Sequence, residues 1–368
     1  MTAADEAWMR RALAIGERGR YSTSPNPMVG AVLVRGGRLV AEGWHRRAGG
    51  PHAEIEALAR AGTRARGATL YVTLEPCSHE GRTGPCADAI VRAGVARVVA
   101  ARRDPNPRVA GRGLRRLRAA GIRVTTGVLR REAALQNERF DVWVTGGRPF
   151  VLAKVAATLD GRIADFRGRS RWISGTEARR RSLAWREEFD AILVGAATAE
   201  RDGSRLTRRL GWNRTTAHRR IVLDGAFRVS ESLPLFRTKG AEVWTASRGG
   251  AAKERRLAAR GVRVVRLPPA RQGGGVDLGA ALRRLGAEGV TGLVVEGGTR
   301  TLTAFHSAGL IDRWAFFFAP TLLGGIGAWP ILGGEGVPLA RARSLSAVTV
   351  SALGSDLLVT GRCVARRG

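Results

Sequence analysis

Cysteine is nearly missing from this sequence: three residues in 368, an odd number. That argues against a disulfide framework and points to a reducing, cytoplasmic compartment, where cysteine more often serves metals or catalysis. Long apolar runs are missing too, so no segment reads as membrane-spanning. The opening Met1-Thr2-Ala3-Ala4-Asp5-Glu6 is acidic and carries no signal-peptide pattern. Lysine is almost absent: Lys154, Lys239 and Lys253 stand among 62 basic residues, and the rest are arginine. No internal repeat is visible. No Gly-x-Gly-x-x-Gly follows a strand; Gly111-Arg112-Gly113 continues as Leu114-Arg115-Arg116 and reads as a turn, so a Rossmann cofactor domain is not supported.

What is present is a composition ordinary for a globular protein, 44% apolar and 25% charged, over a length that suggests about two domains. The net charge of +31 suits nucleic acid or another polyanion. The arginines are spread through every helix rather than gathered on one face, however, which reads as compositional bias. An anionic small-molecule substrate suits the same charge.

Along the chain, residues 4–17 form an amphipathic helix with Trp8, Leu13 and Ile15 among its apolar positions. Ser22-Thr23-Ser24-Pro25-Asn26-Pro27 is a rigid loop whose prolines either aim Asn26 or make a plain turn. Residues 28–34 and 38–43 pair as a hairpin across Gly36-Gly37. His52-Ala53-Glu54 opens a helix, residues 69–74 a strand, and Cys86 a further helix to residue 93. Strands at 97–101 and 122–125 alternate with helices at 114–120 and 131–140, an α/β layer pattern. Gly146-Gly147-Arg148-Pro149 breaks the chain, which places a domain boundary between residues 1–147 and 148–368. Strands are expected at 150–156, 190–194, 220–223, 242–246, 262–267, 292–296 and 314–319, with a closing hairpin at 347–352 and 356–364. Helices are expected at 176–188, capped by Ser174, and at 302–308, and a flexible loop at 272–275. Cys363, in the last strand, is expected in the core.

The chemistry is concentrated in Pro51-His52-Ala53-Glu54, Glu75-Pro76-Cys77 and Cys86. One imidazole and two thiols hold zinc and leave a fourth position for water. A thiol at a helix N-terminus has its thiolate form favoured, which suits Cys86 as a ligand. Glu54, two residues from His52, is placed to move protons without ligating the metal. His-x-Glu with Pro-Cys and a second Cys is the signature of zinc-dependent nucleobase deaminases. The Cys77–Cys86 spacing is longer than the usual Pro-Cys-x-x-Cys, and adds His79, Arg82 and Thr83 beside the metal, groups suited to a polar or phosphorylated substrate. In the second half, Glu296-Gly297-Gly298-Thr299 opening a helix is either a phosphate cradle or a plain turn. Lys154 stands out because arginine replaces lysine almost everywhere else, and a retained lysine reflects either a need for its compact ammonium or chance among three lysines.

Across nearly its full length the sequence resembles the bifunctional riboflavin-biosynthesis deaminase–reductases. The first-half motifs are Thr23 to Gly30, Pro51 to Glu54, Leu74-Glu75-Pro76-Cys77-Ser78-His79 with Gly81-Arg82-Thr83, and Asp104-Pro105-Asn106-Pro107. Those of the second half are Lys154 with Leu159-Asp160-Gly161-Arg162, Trp172-Ile173-Ser174-Gly175, Asp190 to Gly195, Glu296-Gly297-Gly298, and Ala319-Pro320 with Gly324-Gly325. The resemblance implies a cytidine-deaminase-like three-layer domain followed by a dihydrofolate-reductase-like α/β domain. It implies zinc-dependent deamination of a phosphorylated diaminopyrimidine, then reduction of the ribosyl group by NADPH. On the family pattern His52, Cys77 and Cys86 hold zinc, Glu54 is catalytic, and Asn26 and His79 fall in the deaminase pocket. Ala156, Trp172, Thr198, Asp202 and the run Gly298, Thr299, Arg300, Thr301, Leu302, Thr303 and Ala304 meet NADPH. Lys154, Ser170, Arg186, Leu206, Arg209 and Glu296 meet the second substrate. A homo-oligomer, dimer or tetramer, is expected, with no membrane and no nucleic-acid partner.

Two departures stand out. Gly84 replaces a proline before Pro85, and the family's Asp-Asp-Pro reads Asp202-Gly203-Ser204. The second motivates an alternative, an active deaminase with an impaired or redirected reductase. The charge and the His-x-Glu motivate another, a deaminase acting on a base in RNA.

Overall fold

The computed structural model describes residues 2–78, 84–107, 109–213, 218–271 and 275–365. Two compact units emerge, one reaching Gly147 and the other starting at Arg148. Among the described residues no helix is long and apolar enough to cross a membrane.

The first unit runs α1 (Ala3–Gly16), β1 (Gly30–Arg35), β2 (Arg38–Trp44), α2 (Ala53–Ala61), β3 (Thr69–Val72), α3 (Cys86–Arg92), β4 (Arg97–Ala100), α4 (Arg112–Ala119), β5 (Arg123–Thr126), α5 (Arg130–Gln136) and α6 (Glu138–Gly146). Its five strands lie in the order β2-β1-β3-β4-β5. The first three are antiparallel, and β3, β4 and β5 are parallel. Alternate residues leave the sheet on opposite faces. Leu33, Leu70, Val72 and Val98 meet Ala57 of α2, Ile90 of α3 and Leu117 of α4. Val32, Tyr71 and Val99 meet Met9 and Ala12 of α1 and Ala133 of α5. This is the expected three-layer arrangement. A capping box at Thr2, with Asp5 reaching back, starts α1.

Where one helix is expected over 131–140 there are two, α5 and α6, broken at Asn137. The physical reason is the Asn137 side chain. Its carboxamide accepts from the Met28 amide and donates to the Met28 carbonyl, each at 2.8 Å, so a buried residue is pulled onto the Pro25-Asn26-Pro27-Met28 loop.

The second unit runs β6 (Phe150–Thr158), β7 (Arg162–Ala164), α7 (Thr176–Glu188), β8 (Ala191–Gly195), α8 (Ala196–Asp202), β9 (Arg219–Leu223), β10 (Ala241–Thr245), α9 (Ala251–Ala259), β11 (Arg263–Arg266), α10 (Leu278–Ala287), β12 (Gly292–Val295), α11 (Thr299–Ser307), β13 (Arg313–Ala319), β14 (Trp329–Pro330), β15 (Arg343–Leu353) and β16 (Asp356–Ala365). Nine strands form one sheet in the order β11-β10-β9-β8-β12-β6-β13-β16-β15. The strands from β11 to β13 are parallel, and β16 and β15 close the sheet as an antiparallel hairpin. Val151, Leu193, Leu293 and Trp314 build a core with Leu282 and Leu285 of α10 and Leu302 and Phe305 of α11.

Ser174 does not cap α7; the N-cap is Gly175, whose amide donates to Asp356 at 2.6 Å. Helix α11 starts three residues earlier than its apolar pattern suggests, because Thr299 and Arg300 carry no apolar signal. Strand β11 is only partly buried, as its place at the sheet edge requires. Of the loop expected at 272–275, residues 272–274 lie outside the described residues.

Candidate functional site

In the first unit three elements end at one point. His52 is the N-cap of α2, Cys77 follows β3, and Cys86 is the first residue of α3. His52 Nδ1 lies 3.2 Å from Cys86 Sγ and 3.5 Å from Cys77 Sγ, and all three ligand atoms fall within 4.8 Å of one another. A tetrahedral zinc with ordinary Zn–N and Zn–S bonds needs an N···S edge of about 3.5 Å. The donor set and its spacing therefore fit zinc, through Nδ1 of His52. The Cys86 thiol and amide and the His52 imidazole all face Cys77, and together they pull the Cys77 thiol down to about 4. Its partner Cys86 is pushed up by sharing its proton with Cys77. Glu54, in the first turn of α2, is 3% exposed, and burial raises its carboxyl to about 7 against the pull of His52. Such a group holds and releases a proton near neutrality.

Asn26 faces the same region through a residue that the sequence pattern did not single out. His45 Nδ1 lies 2.9 Å from the Pro51 carbonyl, which only accepts, so that nitrogen carries the proton. Nε2 is then an acceptor, and Asn26 Nδ2 donates to it at 3.0 Å. The Asn26 amide is thereby oriented, with its nitrogen toward His45. Burial keeps His45 on the neutral side of its usual range. His79 lies outside the described residues.

Glu75 and Gly113 hold the Cys77 loop. The buried Glu75 carboxylate accepts amides of Gly111 at 2.8 Å, Leu114 at 3.2 Å and Asp104 at 3.2 Å. It thus ties the start of α4 to the strand end carrying Cys77. A Cβ on Gly113 would sit 1.8 Å from the Pro76 carbonyl oxygen. Close backbone approach is what Gly113 supplies, and no local sequence signal separates it from a turn glycine.

The second unit contains a cleft of about 640 Å³ at the carboxyl ends of the central strands. Lys154 and Ala156 of β6 lie on its wall, with Glu296 just beyond β12. Arg186 of α7 grips Glu296 bidentately, Nε to Oε1 at 3.1 Å and Nη2 to Oε2 at 2.8 Å. Burial alone would raise the Glu296 carboxyl, but Arg186 and Lys154 outweigh it and hold it at about 2. Burial pulls the Lys154 ammonium below its usual range, although Glu296 opposes this. Ser170, Leu206 and Arg209 line the cleft as well. So do Thr198 and Asp202 of α8, together with Trp172, which is 73% exposed.

The Glu296-Gly297-Gly298 segment fits a phosphate-bearing cofactor. A Cβ on Gly297 would meet Thr301 Cβ at 2.6 Å, and one on Gly298 would meet Thr198 Oγ1 at 2.7 Å. Helix α11 has no side-chain cap, so its first-turn amides are available as donors. Of the run Gly298 to Ala304, only Gly298 lines the cleft. Leu302 is fully buried in the core, and Arg300 and Ala304 are exposed. Thr303 Oγ1 receives the Gly333 amide at 2.9 Å, and Thr299 bonds the Pro330 carbonyl. Thr301 is buried beneath Gly297. The helical period explains the difference, since consecutive residues cannot all face one cleft. Cationic residues not singled out in the sequence also line the cleft: Arg171, Arg179, Arg205 and Arg201, the last stacked 4.1 Å above Trp329.

The altered Asp202-Gly203-Ser204 segment forms a helix stop. Gly203 has φ +54°, its amide reaches Glu200 O at 3.2 Å, and the Ser204 amide reaches Ala199 O at 3.0 Å. Proline at 204 has no N–H for that second bond. The departure therefore exchanges one turn chemistry for another and leaves Asp202 on the cleft wall.

Fold and sites together define a zinc-dependent deaminase joined to a reductase. Residues 2–102 match the cytidine and deoxycytidylate deaminase zinc-binding region, and residues 149–359 match the RibD C-terminal domain. The riboflavin biosynthesis protein RibD of Aquifex aeolicus is 42% identical over 320 residues, covering 87% of this chain and 88% of the relative. That of Bacillus amyloliquefaciens is 38% identical over 97% of this chain and 95% of its own. The structure of Acinetobacter baumannii RibD superposes with a TM-score of 0.87 at 36% identity, covering 98% of this chain and 99% of that one. A Thermotoga maritima deaminase/reductase superposes at 0.82, with 35% identity and coverage of 98% and 99%. The chain belongs to the RibD family. It is a bifunctional deaminase and reductase of riboflavin biosynthesis, with a zinc-binding deaminase domain and a reductase domain of the NADPH-dependent type.

Proposed function

We propose that residues 1–147 deaminate diaminohydroxyphosphoribosylaminopyrimidine and that residues 148–368 then reduce 5-amino-6-(5-phosphoribosylamino)uracil, the two activities for which the Thermotoga maritima relative is named, with NADPH as the reductant. The observation that carries the first half is the His52–Cys77–Cys86 triangle with a buried Glu54 beside it. Zinc, when bound, makes hydroxide available near neutral pH. Glu54 takes a proton from the attacking water and passes it to the ring nitrogen and the departing ammonia, so that C–NH2 and water become C=O and NH3. Asn26, oriented by His45, and His79 contact the pyrimidine.

For the second half the observation is the Lys154–Glu296–Arg186 group inside a cleft rich in arginine. NADPH, when bound, supplies a hydride. Reduction at the anomeric carbon requires the ribose ring to open, and its ring oxygen then needs a proton. The Lys154 ammonium is the acid that gives it, and the negative charge of Glu296 favours its protonated form. Ser170, Leu206 and Arg209 bind the substrate, with Arg209 matching its phosphate. Ala156, Trp172, Thr198, Asp202 and Gly298, with the amides of Thr299, Arg300 and Thr301, meet NADPH. A homo-oligomer in the cytoplasm completes the reading.

The test is product mass after incubation of zinc-loaded protein with the diaminopyrimidine phosphate, with and without NADPH. Deamination alone without NADPH, and deamination plus a gain of two hydrogens with it, is the expected pair. No mass change in either tube overturns the substrate, and deamination alone in both tubes overturns the second half.

A further inference from the structure

One wall of the reductase cleft is a segment with no regular structure to hold it. Residues 205–210 follow α8 as irregular chain, yet Arg205, Leu206, Thr207 and Arg209 all line the cleft. Leu206 has φ +53°, a left-handed backbone that is unfavourable for a non-glycine residue unless its surroundings impose it. The surroundings here are side chains reaching in from behind. His218, just before β9, donates Nε2–H to the Leu206 carbonyl at 3.1 Å. Glu187 of α7, fully buried, accepts the amides of Arg209 at 3.0 Å and Leu210 at 2.8 Å on one oxygen. Arg208 spans two carbonyls near the end of α7, Arg186 at 2.8 Å and Phe189 at 3.0 Å. Arg220 donates to the Arg205 carbonyl at 3.0 Å.

Glu187, Arg208 and His218 are all absent from the cleft lining. Glu187 and His218 bond backbone groups of Arg209 and Leu206, whose side chains face the cleft, and Arg208 anchors the same segment to the end of α7. Burial, then the charge of Arg208, holds His218 down to about 4, so the ring is neutral with a single N–H. Because Nε2 faces a carbonyl, that proton sits on Nε2. No hydrogen-bond partner meets Nδ1 among the described residues. The ring is committed to one donation, and that donation fixes the left-handed residue.

We infer that Glu187, Arg208 and His218 form a positioning clamp that sets Leu206 and Arg209 against the second substrate without touching it. The inference rests on the assignment of Leu206 and Arg209 to that substrate, made above. It separates the two ligands of one cleft: the clamp governs the 205–210 wall, whereas the proposed NADPH cradle at Gly298 and Thr198 is held by its own bond, Gly298 N to Thr198 Oγ1 at 3.1 Å.

The experiment uses the full chain with His218→Leu, His218→Gln and Arg208→Lys. It measures KM and kcat for reduction of 5-amino-6-(5-phosphoribosylamino)uracil at saturating NADPH, NADPH affinity by fluorescence without substrate, and deamination as a check on the rest of the chain. His218→Leu leaves a buried carbonyl unpaired and is expected to raise KM about tenfold. NADPH affinity and deamination should be unchanged. His218→Gln keeps an N–H donor and should recover most of the loss. Arg208→Lys keeps the charge but loses the fork across two carbonyls, and should raise KM about threefold even if His218→Leu does not fold. Normal KM values in both His218→Leu and Arg208→Lys, or NADPH affinity falling in step with KM, overturn the clamp. Wild-type protein that binds NADPH but reduces nothing removes the substrate assignment, and the clamp with it.

Discussion

Replacing Gly113 by alanine should disable deamination while leaving reduction intact. The added Cβ would start 1.8 Å from the Pro76 carbonyl oxygen, and real contacts of this kind are not shorter than 3.0 Å, so something must move by about 1.2 Å. The helix cannot simply retreat, because Glu75 bonds the amides of Gly111 and Leu114 on either side of Gly113. The Pro76–Cys77 segment is therefore displaced, and Cys77 is a proposed zinc ligand. Overpacking of this kind costs about 1–3 kcal/mol. The better helix propensity of alanine returns up to about 1 kcal/mol. The loss of global stability is therefore at most about 3 kcal/mol, while the local effect is severe. Metal–ligand distances tolerate about 0.2 Å, and a misplacement of about 1 Å can cost on the order of a hundredfold in rate.

The assay measures bound zinc per chain, ammonia release from the diaminopyrimidine phosphate, and NADPH oxidation on the already deaminated substrate. Gly84→Ala is the control, since a Cβ there meets nothing within 4 Å although the residue lies two positions before Cys86. G113A should lose most of its zinc and about a hundredfold in deamination, with NADPH oxidation unchanged and G84A normal throughout. G113A protein with full zinc and a wild-type rate would refute the reasoning, because the close approach would then be relieved without moving Cys77.

Glu54→Gln should keep its zinc and lose about 10²–10⁴-fold in deamination, measured as ammonia release, with reduction unaffected. Chelation of zinc should abolish ammonia release, with recovery on adding zinc back, and leave NADPH oxidation on the deaminated substrate unchanged. Glu296→Gln leaves the Arg186 guanidinium and Lys154 without their carboxylate; loss of one partner from a buried pair costs about 3–5 kcal/mol, so reduction and the melting transition of the second unit should both fall. Asp5 is held at about 2, chiefly by Arg97, against an ordinary carboxyl value of 3.8. Its folded pKa lies below the unfolded one, so its stabilisation is present above about pH 4 and is lost as pH falls toward 2. The stability gap between wild type and Asp5→Asn, followed by denaturant melts of the first unit, should therefore close across that acid range.

Much of this site was legible because its chemistry is local. His52 and Glu54 share one turn, and Cys77 and Cys86 sit where a strand ends and a helix begins, so residue type and spacing carried the reading. Strand and hairpin positions followed the apolar pattern to within a few residues, with Gly36-Gly37 and Gly354 marking the turns. What escaped depends on partners far along the chain. Asn137 breaks a helix in order to bind Met28, and Glu75 reaches Leu114. The start of α11 escaped because its first turn is polar, and the family's contiguous motif includes Leu302, whose side chain the helical period turns into the core. Both residues after Asp202 depart from the family's Asp-Asp-Pro, yet the Ser204 amide still closes the end of α8 on the Ala199 carbonyl.

The surplus of arginine has an internal use that the composition did not reveal. Arg220, buried without a carboxylate partner among the described residues, gives its guanidinium to the carbonyls of Arg205, Leu235, Thr238 and Lys239. Burial pulls its pKa below the usual value, but a guanidinium remains charged and its fixed fork spans several acceptors at once. Arg208 and Arg266 tie loops by the same device. Lysine carries its three donors on one rotating nitrogen and cannot replace such a fork. At residue 154 the requirement is reversed. The carboxylate of Glu296 is already gripped by the Arg186 fork, and a second guanidinium would find no free planar partner. The proposed reaction needs a group that can release a proton, which burial makes easier for an ammonium and leaves out of reach for a guanidinium. The chain thus uses arginine where a charge must stay fixed, and keeps lysine at the position where a proton is proposed to leave.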